Sequence, residues 1–150
     1  MTTDWLFRVG DGINFKNSSR YKIWGIQSST SDGKYFLKHV KPGDRLWVVL
    51  SKSNGRLLAV VTYISHKLRE LGPLISLSMT NEELNWTGCG TDWTSDTEIH
   101  YTELYGLENC DLLTQIKSPK TIRKYNEKCM VNLAMEYSYI VRYSKVTFEL

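Results

Sequence analysis

Cysteine is scarce and unsuitably spaced for structural chemistry. Cys89, Cys110 and Cys129 are odd in number and make no C-x-x-C pair, which argues against both a disulfide framework and a cysteine-rich zinc site. No apolar run is long enough to cross a membrane, and the first residues set Asp4 and Arg8 among only a few apolar neighbours. Neither a membrane span nor a signal peptide is expected, and a reducing compartment, cytoplasm or nucleus, fits the free thiols. Internal repeats, low-complexity tracts and linkers are missing too. At 150 residues and 41% hydrophobic content, that leaves one domain with one core.

Charge of one sign is also lacking. Nineteen basic against sixteen acidic residues give a net +3, compatible with a polyanionic partner but far from a histone-like excess. Catalytic and metal-binding constellations fail in the same way. His39, His66 and His100 are widely separated, with no carboxylate or cysteine at ligand spacing, so a solvent-facing or structurally bonded histidine is the reading of each. Gly10-Asp11-Gly12 lacks the further glycines and the Lys-Ser/Thr ending of a phosphate loop, and reads as a turn. The expectation is a protein that is not an enzyme and has no metal or cofactor.

Aromatic residues are present in quantity, with five tryptophans and nine tyrosines, and such rings serve equally as core and as base-stacking platforms. The stretch from Gly10 to Ile26, GDGINFKNSSRYKIWGI, sets Asn14 ten positions ahead of Trp24. A small amide able to read a base edge and a flat ring on a short strand suggest a pocket for one planar ligand. The alternative is a core tryptophan and an asparagine folded onto its own turn.

The remaining pattern is mixed. Trp5 to Val9 reads as a strand closed by the glycine turn, Phe15 to Ser19 as a helical turn or irregular loop, and Arg20 to Ile26 as a second strand. Ser31 or Asp32 can cap a short helix through Tyr35, Phe36, Leu37 and Val40. Lys41-Pro42-Gly43-Asp44 has the residues of a type II turn. Arg45 to Ser51 and Arg56 to Ser65 form a predicted hairpin about Asn54-Gly55, followed by a charged loop from His66 to Pro73. Trp86 and Trp93 lie in a loop. Thr97 to Tyr105 alternates as a half-exposed strand, with Glu98, His100 and Thr102 on its polar side. Ser118-Pro119 starts a predicted helix carrying Ile122, Tyr125, Cys129 and Leu133 on one face and Lys120, Lys124 and Lys128 on another, and Tyr139 to Phe148 reads as a last strand. Between Lys117 and Lys128 five basic residues, Arg123 among them, meet one acid, Glu127; this is a solvated face or a phosphate track.

RYKIWGIQSS, KPGDRLWVVLSKSNGRLLAVVTYIS and the tryptophan-bearing loop and strand up to Tyr105 resemble the PUA-like superfamily, and within it EVE and YTH domains. The resemblance implies an α+β fold, a small curved β-barrel flanked by short helices, with an aromatic cage for a modified, methylated nucleotide in RNA or DNA. It implies that Trp24 stacks on the base, Asn14 and backbone groups near Gly25 contact its edge, and Trp86 or Trp93 closes the cage. Lys120, Arg123 and Lys124 would then hold phosphates. The rival reading is a protein-interaction subunit that keeps the scaffold, binds no nucleotide and uses surface aromatics as anchors for protein partners.

Overall fold

The computed structural model describes residues 2–50, 57–69, 82–84, 86, 96–106 and 122–124. Its strands are β1 (Asp4–Arg8), β2 (Ile23–Ile26), β3 (Arg45–Val49), β4 (Leu57–Leu68), β5 (Thr97–Gly106) and β6 (Ile122–Lys124), with helices α1 (Ile13–Ser19) and α2 (Ser31–His39). They form one six-stranded sheet in the order β2-β5-β4-β3-β1-β6. β1 runs parallel to β3, which requires a crossover, and α1, β2 and α2 supply it. The other pairs are antiparallel. The class is therefore α+β, but the barrel is not closed among the described residues: β2 and β6 each pair on one side only, with β5 and β1.

The turns follow local chemistry. Gly43 has φ +95° and the Asp44 N–H donates to the Lys41 carbonyl at 3.0 Å, the type II turn that Pro42-Gly43 predicts. Gly12 combines φ +83° with close packing, since a Cβ there would lie 2.7 Å from Leu50 Cδ2. The cap of α2 is Thr30, one residue before the predicted Ser31 and two before Asp32: its hydroxyl accepts from the Gly33 N–H at 3.0 Å. Asn54-Gly55 lies outside the described residues, but β3 and β4 pair antiparallel as the hairpin reading requires.

Three expectations are corrected. His66 to Leu68 continues β4, because those residues pair with Ile99, Glu98 and Thr97 of β5 and a paired backbone outweighs polar side chains. Ile122–Lys124 is strand: its residues pair with Phe7, Leu6 and Trp5, so the predicted lysine stripe of a helix does not form at Lys124. Glu98 is fully buried on a strand expected to be half exposed. The predicted last strand, Tyr139 to Phe148, lies outside the described residues.

One face of the sheet packs on α1 and α2, with Trp5, Phe7, Phe15, Phe36, Leu46, Val48, Ile99 and Tyr101 among the core residues. Phe36 meets Trp5 and Phe7 edge to face, ring centroids 5.0 and 4.9 Å apart. Alternation along β3 carries Trp47 to the opposite face, where it is buried as well. Trp5 and Trp47 are thus core residues, each with its indole N–H on a buried carboxylate. Trp5 donates to Asp44 Oδ2 at 3.1 Å and Trp47 to Asp4 Oδ1 at 2.9 Å. Asp44 also accepts from the backbone N–H groups of Thr3 and Lys41, each at 3.0 Å, and Asp4 takes a two-pronged contact from Arg45 at 2.6 and 3.1 Å. Among the described residues no helix is long and apolar enough to cross a membrane.

Replacing Asp44 by Ala strands three buried or half-buried donors together. The expected loss is about 2–4 kcal/mol of unfolding free energy, read as a lower urea midpoint with unchanged slope. A midpoint equal to wild type would show that Asp44 is not a tie between the turn and β1.

Candidate functional site

The site is built where α1 meets the β2 edge. Asp11 Oδ1 accepts from the Ile13 N–H at 3.1 Å and starts α1, placing Asn14 in its first turn, half-buried. The contact that links Asn14 to the rest of the cluster is made by its main chain: the Asn14 carbonyl accepts from the Trp86 indole N–H at 3.1 Å and from the Ser18 hydroxyl at 3.2 Å. Trp24 on β2 is half-buried. Its ring meets Phe15 at 5.6 Å and Trp86 at 5.7 Å, nearly perpendicular to Trp86 at 77°. Phe15 in turn stacks on Tyr101 at 5.8 Å and 14°. A run of rings therefore leads from the core, through Tyr101 and Phe15, to Trp24 and Trp86 at the edge.

Trp86 belongs to a second small cluster with Ile23 and Leu84. It is 6% exposed, and the Arg69 guanidinium lies 5.4 Å above its ring. Burial pulls the Arg69 pKa down, with Glu98 opposing that pull. Glu98 stands on β5 directly across from Gly25 on β2 and Lys67 on β4. Three basic side chains surround its carboxylate: His100 Nε2 at 3.2 Å and Lys67 Nζ at 3.9 Å from Oε2, and Arg69 Nε at 3.7 Å from Oε1. Among the described residues no hydrogen bond is made to Glu98 Oε1, nor by the Tyr101 hydroxyl. At the start of the same strand Asp96 accepts from the Ser28 backbone and hydroxyl and from Thr97. Burial alone would raise its pKa, and these hydrogen bonds outweigh burial and lower it.

Of the residues singled out from sequence, Asn14, Trp24 and Trp86 meet, and Gly25 lies beside them on β2. Trp93 and Lys120 lie outside the described residues. Arg123 and Lys124 sit on β6, the edge strand opposite β2 in the sheet order, where they pair with Leu6 and Trp5 of β1. Sequence reasoning missed Arg69, read as loop, and Glu98, read as solvent-facing. The only signal for Glu98 was its placement two residues before His100 on one face of a strand.

No protein-family model matches the sequence, and no curated protein matches it. The structure is similar to the crystal structure of ASCH from Zymomonas mobilis, with a TM-score of 0.52 at 6% identity over 88% of this chain and 94% of that one. A tyrosine-to-phenylalanine mutant of that protein gives 0.49 at 5% identity over 88% and 96%, a likeness that carries no argument. At this identity the likeness extends to the fold alone, which this chain shares with that ASCH structure.

The Tyr101 hydroxyl gives a direct test of the aromatic run. Tyr101→Phe removes a buried group without a hydrogen bond, and stability should hold or rise by about 1 kcal/mol in denaturant unfolding. Burial raises the Tyr101 pKa, so the neutral phenol belongs to the folded state. That contribution is intact below about pH 10, where unfolded tyrosine begins to ionise, and is lost as pH rises further. Tyr101→Phe should therefore lose less stability than wild type between about pH 9 and pH 11. A marked loss at neutral pH would mean that the hydroxyl has a partner.

Proposed function

We propose that this chain is a non-enzymatic module that binds a single nucleotide of RNA or DNA, one carrying a modified base, at the Asn14–Trp24–Trp86 corner. The observation that supports the reading is the meeting of Asn14 and Trp86 through the indole N–H···O bond, with Trp24 set perpendicular to Trp86. Two aromatic planes at right angles, next to the helix turn that carries Asn14, offer a stacking face and a wall, and with an edge contact from that residue they make the parts a flipped or single-stranded base requires. In this reading Trp24 stacks, the Asn14 side chain contacts the base edge and Trp86 forms the wall. Lys120, Arg123 and Lys124 add attraction for the backbone.

The rival reading of a protein-interaction subunit draws on one specific observation. Trp86 is 6% exposed and one of its faces is covered by Arg69, so a ligand has to share that wall with the guanidinium. Binding experiments separate the two. Stacking on an aromatic ring is worth about 1–3 kcal/mol per base, so Trp24→Ala should weaken binding of an oligonucleotide carrying the recognised base by roughly tenfold to hundredfold. Asn14→Ala should erode selectivity among bases more than overall affinity. Both variants must keep the wild-type circular dichroism spectrum and melting behaviour, because Trp24 also touches the core. A folded Trp24→Ala protein that binds every oligonucleotide as tightly as wild type would leave the interaction subunit as the better account.

A further inference from the structure

We infer that Arg20, Tyr21 and Lys22, the residues that join α1 to β2, form a contact surface for the single-stranded RNA or DNA that flanks the base at the Trp24 corner; the inference rests on the nucleotide-binding reading above. Lys22 is the starting point. Its φ of +56° lies in the left-handed region, and among the described residues it is the only one other than glycine with a positive φ. A residue with a Cβ is strained there, whereas glycine is not. Two backbone bonds hold the conformation. The Lys22 N–H donates to the Ser19 carbonyl at 3.0 Å, and the Lys22 carbonyl accepts from the Tyr101 N–H at 3.2 Å. Glycine would make both bonds without the strain, so nothing in the backbone calls for a lysine at this position. Strain of this kind collects where a chain handles a ligand.

What the lysine adds is an exposed cation in a stretch without acids. Between Asp11 and Asp32 the sequence holds Lys16, Arg20 and Lys22 and no aspartate or glutamate. Arg20, Tyr21 and Lys22 are all exposed, and among the described residues neither Arg20 nor Lys22 makes an ion pair. The Arg20 guanidinium lies 5.2 Å over the Tyr21 ring, so a cation and a flat ring are presented together. Arg20 also follows the last turn of α1, where a cation suits the helix end. That accounts for Arg20, but not for the strained Lys22 or the exposed ring. Position ties this surface to the corner, because Asn14 lies on α1, Trp24 lies on β2 and these three residues connect them. From Lys22 to Trp24 is two residues of extended chain, about 7 Å, which sets the phosphate beside a base on Trp24 within a lysine's reach. Cations for the backbone and a ring for the neighbouring base are the usual construction for single strands.

The test sets stability against binding, with the full chain and a ten-nucleotide single-stranded oligoadenylate titrated at several salt concentrations. Lys22→Gly should raise the urea midpoint, because the strain is relieved. The same variant should weaken binding about twofold to tenfold and lower the slope of log K against log salt by about 0.7, the value for one single-strand phosphate contact. Lys22→Ala, which keeps the strain, should lose binding to the same extent without the gain in midpoint. Adding Arg20→Ala to Lys22→Gly should lower affinity and slope further, and Tyr21→Ala should weaken binding about tenfold with the slope unchanged. Lys38→Ala, which removes an exposed lysine of α2, should change neither. A lower midpoint in Lys22→Gly would show that the side chain serves the fold and would overturn the inference. Wild-type affinity and slope in the Arg20→Ala, Lys22→Gly double variant would overturn this surface while leaving the nucleotide-binding reading in place. So would loss of binding to phosphatidylserine vesicles in that variant with oligonucleotide binding intact, which would assign the surface to a membrane. Wild type that binds no oligonucleotide would overturn that reading and this surface with it.

Discussion

Two carboxylates at the start of neighbouring parallel strands hold the arrangement together. Asp44 ends the Lys41–Asp44 turn and takes the Trp5 indole together with two backbone donors, while Asp4 takes the Trp47 indole and the fork of Arg45. Each tryptophan sits one strand away from its acid, so the two bonds cross between β1 and β3. A buried indole N–H or carboxylate left without a partner would cost more than the bond itself contributes. A slip of β1 against β3 by one residue would break both bonds and also turn every apolar side chain of β1 to the other face. The β1–β3 register is therefore fixed from both sides of the sheet.

From that register the remaining strands inherit theirs. β3 aligns β4, and β4 aligns β5 through a long ladder interrupted by two irregularities, at Val60/Thr62 and Tyr63/Ser65. The second of these lies just before Ser65 meets His100 and Lys67 meets Glu98. A bulge re-aims the residues beyond it, and here the residues beyond it are those of the charged cluster. On β2 the residue facing Glu98 is Gly25, which adds no side chain to that position. The aromatic corner and the ion cluster are thus two products of one edge, joined by Arg69.

This edge is also where the fold carries polar groups that a purely structural core would avoid. Among the described residues Glu98 is buried with one oxygen lacking a hydrogen bond, and the Tyr101 hydroxyl, three residues on along β5, is buried in the same condition. Structures generally satisfy such groups. Among the described residues the opposite end of the sheet shows no such exception: Asp4 is supplied by side-chain donors and Asp44 by donors from side chain and backbone.

How much was legible in the sequence differs by element for physical reasons. The type II turn was readable because Pro42 and Gly43 have conformational preferences that need no neighbours, and the β3–β4 pairing was readable from two apolar runs separated by Asn54-Gly55. The site was half readable. Asn14 and Trp24 lie ten residues apart in one local unit, but the meeting with Trp86 depends on a contact 72 residues away in the chain, and no local pattern encodes that. Ile122–Lys124 looked helical because periodicity describes side chains, while the free backbone edge of β1 decided the conformation. Glu98 looked exposed because alternation assigns a residue to a face and cannot say what covers that face. The sequence by itself determined the turns, the apolar strands and the Asn14–Trp24 pair, all set by interactions within a few residues. Only the tertiary structure decided which face was buried, where the charges met and that Trp86 reaches the Asn14–Trp24 pair, because burial and pairing are properties of what lies across the sheet.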